Sequence, residues 1–265
     1  MLVLIKGAGD LATGIALRLH RAHIHVVMTD LPKPTAIRRT VSFSQAIVLG
    51  QCEVEDVHAV FARSSEQAAE ILKTGQIPVL ADENCVCLPQ IKPDVLIDAI
   101  IAKRNLGTQI TDAPLVIGVG PGFTAKKDCH AVIETMRGHT LGRVIYEGSA
   151  LENTAVPGLI GGYAGERVLR APKDGIFQQL LEIGTVVSPG DIAAAVDGEP
   201  IRCTVGGVLR GILPSRTPVF RGMKAGDVDP RGEKSACFTV SDKALAVGGG
   251  VLEAILNFTA VLEEK

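Results

Sequence analysis

The chain has 265 residues, which at ~100–200 residues per domain favours two domains. Apolar residues supply 46% of it and aromatics only 3%, with no Trp, so its cores must be built from Val, Leu, Ile and Ala. A formal net charge of −2 without a basic run lacks the electrostatic footprint of a nucleic-acid or membrane-surface binder.

Leu2-Val3-Leu4-Ile5 is an apolar run that ends near a glycine, as expected of a strand buried on both faces. From Leu11 to His20 the apolar residues Leu11, Ile15 and Leu19 recur at helical spacing, beside Ala12 and Ala16. His25 to Thr29 reads as a second strand, closed by Asp30. Ile47-Val48-Leu49 and Val57 to Phe61 are further short strand candidates. Ser65 to Lys73 is a helix stopped by Gly75. Ile77 to Leu80, Asp94 to Ile101 and Leu115 to Val119 complete a series of strands. Strands alternating with helices predict an α/β, Rossmann-like, mostly parallel sheet over residues 1–155.

At Val156 to Gly162 (VPGLIGG) the texture changes to short alternating segments broken by glycine. Asp174-Gly175-Ile176-Phe177 is echoed 32 positions later by Gly206-Gly207-Val208-Leu209, and Gly190 by Gly222. That period predicts a small all-β, barrel-sandwich-like domain of two interlocked halves over residues 156–232. Residues 233–265 read as a strand at Phe238 to Val240, a helix start with Ser241 as N-cap, an interruption at Gly248-Gly249-Gly250 and a closing helix from Val251 to Leu262. This last piece is expected to pack on the first domain.

Gly7-Ala8-Gly9-Asp10-Leu11-Ala12 lies between the first strand and the first helix. Gly7 permits the tight turn, Gly9 lets a phosphate approach the backbone, and Ala12 is small enough for helix–strand packing. Asp30 follows Gly9 by 21 residues, where an acid can accept hydrogen bonds from a ribose. Asp10 is unusual there, because it repels a pyrophosphate unless it points away or meets a cation. Arg38-Arg39 could fork onto a phosphate or be a solvated pair. Lys103-Arg104-Asn105 follows a strand at its carboxyl end, where ligands bind in an open α/β sheet and basic residues would suit an anionic one; Asp98 in that strand needs a partner if buried.

The densest polar stretch, residues 118–143, adds Gly120, Gly122 and Phe123 to Cys129, His130, Glu134, Arg137 and His139. If residues 128–137 are helical, His130, Glu134 and Arg137 share one face. His130 and Glu134 would then move protons, with Arg137 and His139 near an anion. No third metal ligand stands at a recognisable spacing, so no metal is expected. Basic neighbours would lower the pKa of the Cys129 thiol and make it a candidate nucleophile. Of the six cysteines none forms CxxC; they read as reduced thiols of a cytoplasmic protein, and Cys85-Val86-Cys87 as ordinary buried thiols. Met1 leads into an apolar run without a basic n-region, so no secretory leader is expected, and no apolar run is long enough to span a membrane.

The stretches GAGDLATGIALRL, IRRTVSFSQAI, DVLIDAIIAKRNLGT, VIGVGPGFTA and VIETMRGHTLGRVIYEG together resemble the YqeB family. The resemblance implies a Rossmann-like domain and an accessory role in maturing a selenium-dependent molybdenum hydroxylase, which would be the client partner. RAPKDGIFQQLLEIGTVVSPGDIAAAV is similar to biotinyl/lipoyl-type barrel-sandwich domains. Its central hairpin, Asp197-Gly198-Glu199-Pro200, has no lysine, so neither biotin nor lipoate is expected.

These readings lead to a maturation factor that binds a phosphate-bearing nucleotide or molybdenum cofactor. The sandwich would dock the client or form a homo-oligomer. The alternatives are an NAD(P)-dependent oxidoreductase and a non-catalytic scaffold with a vestigial nucleotide site. The residues alone leave open whether the protein is an enzyme.

Overall fold

The computed structural model describes residues 1–152 and 158–263, with side chains to residue 260. The expected boundary at 155/156, and Val156, lie outside the described residues. The chain forms two compact units. Met1–Pro34, Ser42–Thr154 and Val240–Lys265 make the first; Thr35–Val41 and Ala155–Thr239 make the second.

In chain order the first unit contains β1 (Leu2–Lys6), α1 (Asp10–Arg21), β2 (His25–Asp30), α2 (Gln45–Leu49), β3 (Gln51–Val54), β4 (Val57–Ala62), α3 (Ser65–Lys73), β5 (Ile77–Ala81), α4 (Leu88–Ile91), β6 (Val95–Asp98) and β7 (Leu115–Val119). It continues with β8 (Thr124–Ala125), β9 (Ala131–Ile133), β10 (Val144–Ile145) and β11 (Gly148–Ser149), and ends with α5 (Asp242–Glu263). Its main sheet has nine strands in the order β10-β9-β7-β6-β1-β2-β5-β4-β3. Only the edge pairs, β3 with β4 and β9 with β10, are antiparallel. The Rossmann-like, mostly parallel expectation holds.

The continuous apolar runs have a simple cause. Val3, Leu4 and Ile5, like Leu96, Ile97, Val116 and Ile117, are fully buried, and each such side chain contributes ~1.5–3 kcal/mol. Ser64 caps α3 by accepting the N–H of Gln67, whose own side chain accepts the N–H of Arg63.

Several local expectations are corrected. Ile47-Val48-Leu49 is the end of α2, stopped by Gly50 at φ 86°, so the next strand starts one turn later. The strand expected to reach Ile101 stops at Asp98, whose carboxylate accepts the N–H of Ile100. Residues 128–137 are not helical: Ala131-Val132-Ile133 pairs in parallel with Ile117-Gly118-Val119, and this ladder outweighs the helical spacing. Phe238 to Val240 is not a strand but follows a 3-10 turn at Lys234–Cys237.

Ser241 does cap α5, accepting the N–H of Ala244 at 3.2 Å, but Gly248-Gly249-Gly250 does not interrupt it. Those glycines are a packing surface. A Cβ on Gly14 would lie 2.5 Å from that of Ala244, one on Gly248 3.0 Å from the Gly14 carbonyl oxygen, and one on Gly250 2.0 Å from that of Gly142. Glycine weakens a helix by ~1 kcal/mol per residue, and here the close approach of α1 and α5 offsets that cost.

The second unit contains β12 (Val168–Arg170), β13 (Gly175–Gln179), β14 (Val186–Val187), β15 (Ile192–Val196), β16 (Glu199–Arg202), β17 (Gly207–Ile212), β18 (Pro218–Val219) and β19 (Lys224–Asp229). Its two sheets, β12-β19-β17-β14 and β16-β15-β13-β18, exchange places under the repeat. Gly175 and Gly207 open equivalent strands at φ 153° and 145°. A Cβ would lie 2.2 Å from Asp197 Oδ2 at the first and 2.2 Å from the Asp229 carbonyl oxygen at the second. The repeat is therefore an interlocked sandwich, with Leu169, Phe177, Ala193, Leu209 and Val228 in its core. Asp197 and Gly198, at φ 42° and 82°, turn the β15–β16 hairpin.

Candidate functional site

The sheet changes direction at β1. The chain leaves it for β2 on one side and later returns with β6 on the other, and the carboxyl ends of β1 and β6 form the switch point beyond which open α/β sheets bind ligands. The glycine turn sits here. Gly7, at φ 96°, packs against the next strand's exit, where a Cβ would come within 2.9 Å of the Ala99 carbonyl oxygen. Gly9 is different, since a Cβ there would meet nothing within 4 Å. Its backbone is open at the start of α1, whose first-turn N–H groups have no acceptor within the helix. Ala12 is fully buried against the sheet, as its size suggested.

Asp30 does not stand ready for a ribose. Its two carboxylate oxygens accept the N–H groups of Ala8 and Leu31, each at 2.7 Å. Burial nevertheless raises its pKa. Asp98, by contrast, has the partner its burial demands. Lys6, level with it on β1, donates to Thr108 Oγ1 at 2.6 Å; Thr108 donates to Asp98 Oδ2 at 2.6 Å; and the Lys6 ammonium lies 3.5 Å from that oxygen.

The loop that supplies Thr108 is strained. Ile101 and Lys103 adopt φ 61° and 63°, and a β-branched residue there is an outlier. Asn105 does not face outward for a ligand. Its side chain brackets the loop, donating to the Thr108 carbonyl and accepting the N–H groups of Gly107 and Thr108. Lys103 and Arg104 are exposed, and a Cβ on Gly122 would lie 2.5 Å from Arg104 Cα, so the loops after β6 and β7 touch. Gly120 turns at φ 82° against Thr135, while Phe123 is a core ring lying over Gly118.

A second cluster adjoins the glycine turn. Lys243, in the first turn of α5, is acted on by Arg137, Asp10, Glu134 and Asp242. Burial lowers its pKa first, Arg137 lowers it further, and the three carboxylates oppose them. Asp10 is thus within electrostatic reach of a cation, which offsets the repulsion that an acid in this turn exerts on an anion. Glu134 is buried and accepts the N–H groups of Met136 at 2.6 Å and Leu151 at 2.8 Å. Arg137 grips Asp242 with two bonds, at 2.8 and 3.0 Å.

The grouping of His130, Glu134 and Arg137 on one helical face fails with the helix. Strand β9 lies between His130, at its amino end, and Glu134, beyond its carboxyl end. Cys129 has no exposure, and burial pushes its thiol up to about 11, the reverse of the activation expected from basic neighbours. His130 accepts the N–H of Val116 through Nδ1 at 2.9 Å, and burial lowers its pKa. His139 is exposed.

Arg38 and Arg39 belong to the second unit. Arg38 donates to the carbonyls of Ala236 and Thr239, and Arg39 to the Ile212 carbonyl and Gln179 Oε1, fastening the Thr35–Val41 segment there. Lys6, Thr108 and Lys243 escaped the sequence reading. A lysine directly before a glycine turn, in an otherwise apolar strand, was the available signal for the first. Among the described residues no group of three or more His, Cys, Asp and Glu could hold a metal, and no helix is long and apolar enough to cross a membrane.

This fold defines a Rossmann-like unit joined to a barrel-sandwich unit. No family model matches the chain. It is 51% identical over 255 residues to the uncharacterized protein YqeB of Escherichia coli (strain K12), a match that covers 96% of this chain and 47% of that protein. The chain therefore spans about half the length of this curated relative. Among solved structures, an aspartoacylase family protein from Mesorhizobium loti is 13% identical with a TM-score of 0.27, over 86% of this chain and 83% of that one. The ectoine utilization protein EutE (DoeB) from Ruegeria pomeroyi, in its product-bound form, is 11% identical with a TM-score of 0.26, over 86% and 84%. Likeness at that level carries no inference about chemistry.

Proposed function

We propose that this chain is a YqeB-family accessory protein for maturation of a selenium-dependent molybdenum hydroxylase. In this reading the strand-end crevice holds a phosphate-bearing ligand, a nucleotide or molybdenum cofactor, and the sandwich unit docks the client or a second copy. The observation that carries the ligand reading is the open space at Gly9 at the start of α1, with Lys243 within electrostatic reach of Asp10. An anion there would gain the first-turn amides and one ammonium. The match to YqeB over 96% of the chain carries the family reading.

The NAD(P)-dependent oxidoreductase reading is weaker. Asp30 already serves two amides, and Gly7 is covered by the exit of β6. That cover is also the observation that favours a non-catalytic scaffold with a vestigial site.

Native mass spectrometry with elemental analysis, on protein purified from a cell that makes such a hydroxylase, separates the three. Bound pterin, molybdenum or selenium, and co-purification of the hydroxylase, support maturation. Bound NAD(P) alone moves the oxidoreductase forward. An empty protein that never recovers a hydroxylase leaves the scaffold.

A further inference from the structure

The sandwich unit has a cavity of its own, on the outer face of the sheet β16-β15-β13-β18. Phe177 points from β13 into the core, so Ile176 and Gln178 on either side of it point outward, and both are exposed. Register places Asp197 beside Ile176 on one flank of β13, and Arg216 and Thr217 lie on the other. At ~4.8 Å per strand, the backbones of Asp197 and Arg216 stand roughly 10 Å apart. Ile176, Gln178, Asp197, Ser215 and Arg216 line the cavity, whose volume is about 390 Å³.

Both flanks are held in place. Asp197, at φ 42°, accepts the Ile176 N–H through Oδ1 at 3.2 Å. Its Oδ2 lies over Gly175, where a Cβ would come within 2.2 Å of it, so only glycine leaves the carboxylate room. Arg216 takes φ 68°, a left-handed conformation that its surroundings must impose. They do so through the ladder: Arg216 donates its N–H to the Phe177 carbonyl at 2.7 Å, and Phe177 donates to that of Thr217 at 2.9 Å. Ser215 Oγ accepts the Gln179 N–H at 2.9 Å, which leaves its own proton to donate. Thr217 Oγ1 closes the loop on the Pro214 carbonyl at 2.7 Å.

Polar capacity is left over. Among the described residues no hydrogen-bond partner meets Asp197 Oδ2, the Gln178 carboxamide or the Arg216 guanidinium, and the two opposite charges do not pair with each other. Lys173 is committed to the Asp197 carbonyl at 3.3 Å and to Glu199 at 3.9 Å.

We propose that this cavity binds a free α-amino acid with an apolar side chain, as its zwitterion. The carboxylate takes the Arg216 fork and the Ser215 hydroxyl, the ammonium donates to Asp197 Oδ2, and the side chain lies on Ile176. The wall carries one positive and one negative group, so it complements a molecule that carries both. A phosphate ester meets repulsion from Asp197, and a simple carboxylic acid leaves Asp197 without a partner. Flanks fixed before binding lower its ordering cost. This site is independent of the phosphate reading of the first unit.

The test titrates the full chain with L-leucine and follows amide chemical shifts. Leucine is expected to move the amides of Ile176, Gln178, Asp197, Ser215 and Arg216. Leucinamide, which lacks the carboxylate, and isocaproate, which lacks the ammonium, should each bind at least about tenfold more weakly. Asp197→Asn keeps the acceptor for Ile176 and suits the left-handed turn, so it should hold its Tm, weaken leucine about tenfold and leave isocaproate unchanged. Arg216→Gln should weaken leucine and isocaproate and spare leucinamide. If either analogue binds the wild-type chain as tightly as leucine, or Asp197→Asn binds leucine undiminished, the zwitterion assignment is overturned. If leucine moves none of these amides at millimolar concentration, there is no site. The wild-type comparison of the three ligands is decisive even where a variant does not fold.

Discussion

In the first unit Lys6 is buried against Asp98 and Thr108 where two parallel strands end; in the second, Arg210 is buried against Asp229 inside an antiparallel ladder, and the exposed Arg231 reaches the same carboxylate. The second cluster pairs its carboxylates with several cations. Asp229 is 1% exposed, lies 2.6 Å from Arg231 and 3.4 Å from Arg210, and Arg167 meets the neighbouring Asp227 at 3.3 Å. Burial pushes the Asp229 carboxyl up, but Arg231 and Arg210 outweigh it, and its pKa falls below the ordinary range. The first cluster lies where hydrogen-bonded pairing stops, beside a strained loop and an open Gly9. Buried charge alone therefore does not mark a site. Its place at the end of a parallel sheet, next to the start of a helix, does.

The largest expected effects test this contrast directly. Asp98→Ala and Asp229→Ala should each cost ~3–5 kcal/mol in urea unfolding, because each leaves a buried cation without its partner. With AMP as probe, only Asp98→Ala should also lose binding when measured calorimetrically on protein that is still folded. Equal loss in Asp229→Ala would erase the distinction between the clusters.

Next come the glycines that hold each unit together. Gly14→Val drives a side chain into Ala244 and should cost ~1–3 kcal/mol by overpacking, read as a lowered Tm. It should also weaken AMP binding, since it displaces the helix that carries Lys243. Gly207→Ala, at φ 145° and against the Asp229 carbonyl, should lower Tm without touching AMP binding. A third, smaller effect sharpens the site itself: Lys243→Gln should weaken AMP about tenfold, roughly 1.4 kcal/mol, while leaving Tm nearly unchanged. Unchanged affinity would remove Lys243 from the site.

The smallest effect is a slope in pH. Burial holds the His130 pKa below its usual ~6.5, so between the folded value and 6.5 the unfolded chain binds a proton that the folded chain does not. Its contribution to stability should rise with pH through that window and be flat above it. His130→Asn should remove the slope. In the same protein, native Cys129 should alkylate only as pH approaches about 11.

Much of the architecture was legible because its signals are local. The runs at Leu2 to Ile5 and Leu115 to Val119 had to be strands covered on both faces, and the helical spacing from Leu11 was unambiguous. The repeat linking Gly175 to Gly207 could be read because equivalent turns need glycine at equivalent places. Residues 128–137 misled because His130, Glu134 and Arg137 fit a helix equally well on paper, and only pairing with β7 decided otherwise. Cys129 misled for a related reason: neighbours in sequence suggested a basic surrounding, but its thiol points into the apolar core.

The sequence by itself determined the glycine turn, the parallel sheet and the repeated sandwich, since each rests on periodicity or on a conformation that only certain residues adopt. Tertiary structure alone decided which charges meet. Lys6 and Asp98 are 92 positions apart and become partners through strand register; Lys243 comes within electrostatic reach of Asp10 because glycines let α5 lie against α1; Arg38 and Arg39 leave the first unit for the second. Long-range electrostatic pairing depends on how elements pack, and no local pattern in one chain encodes it.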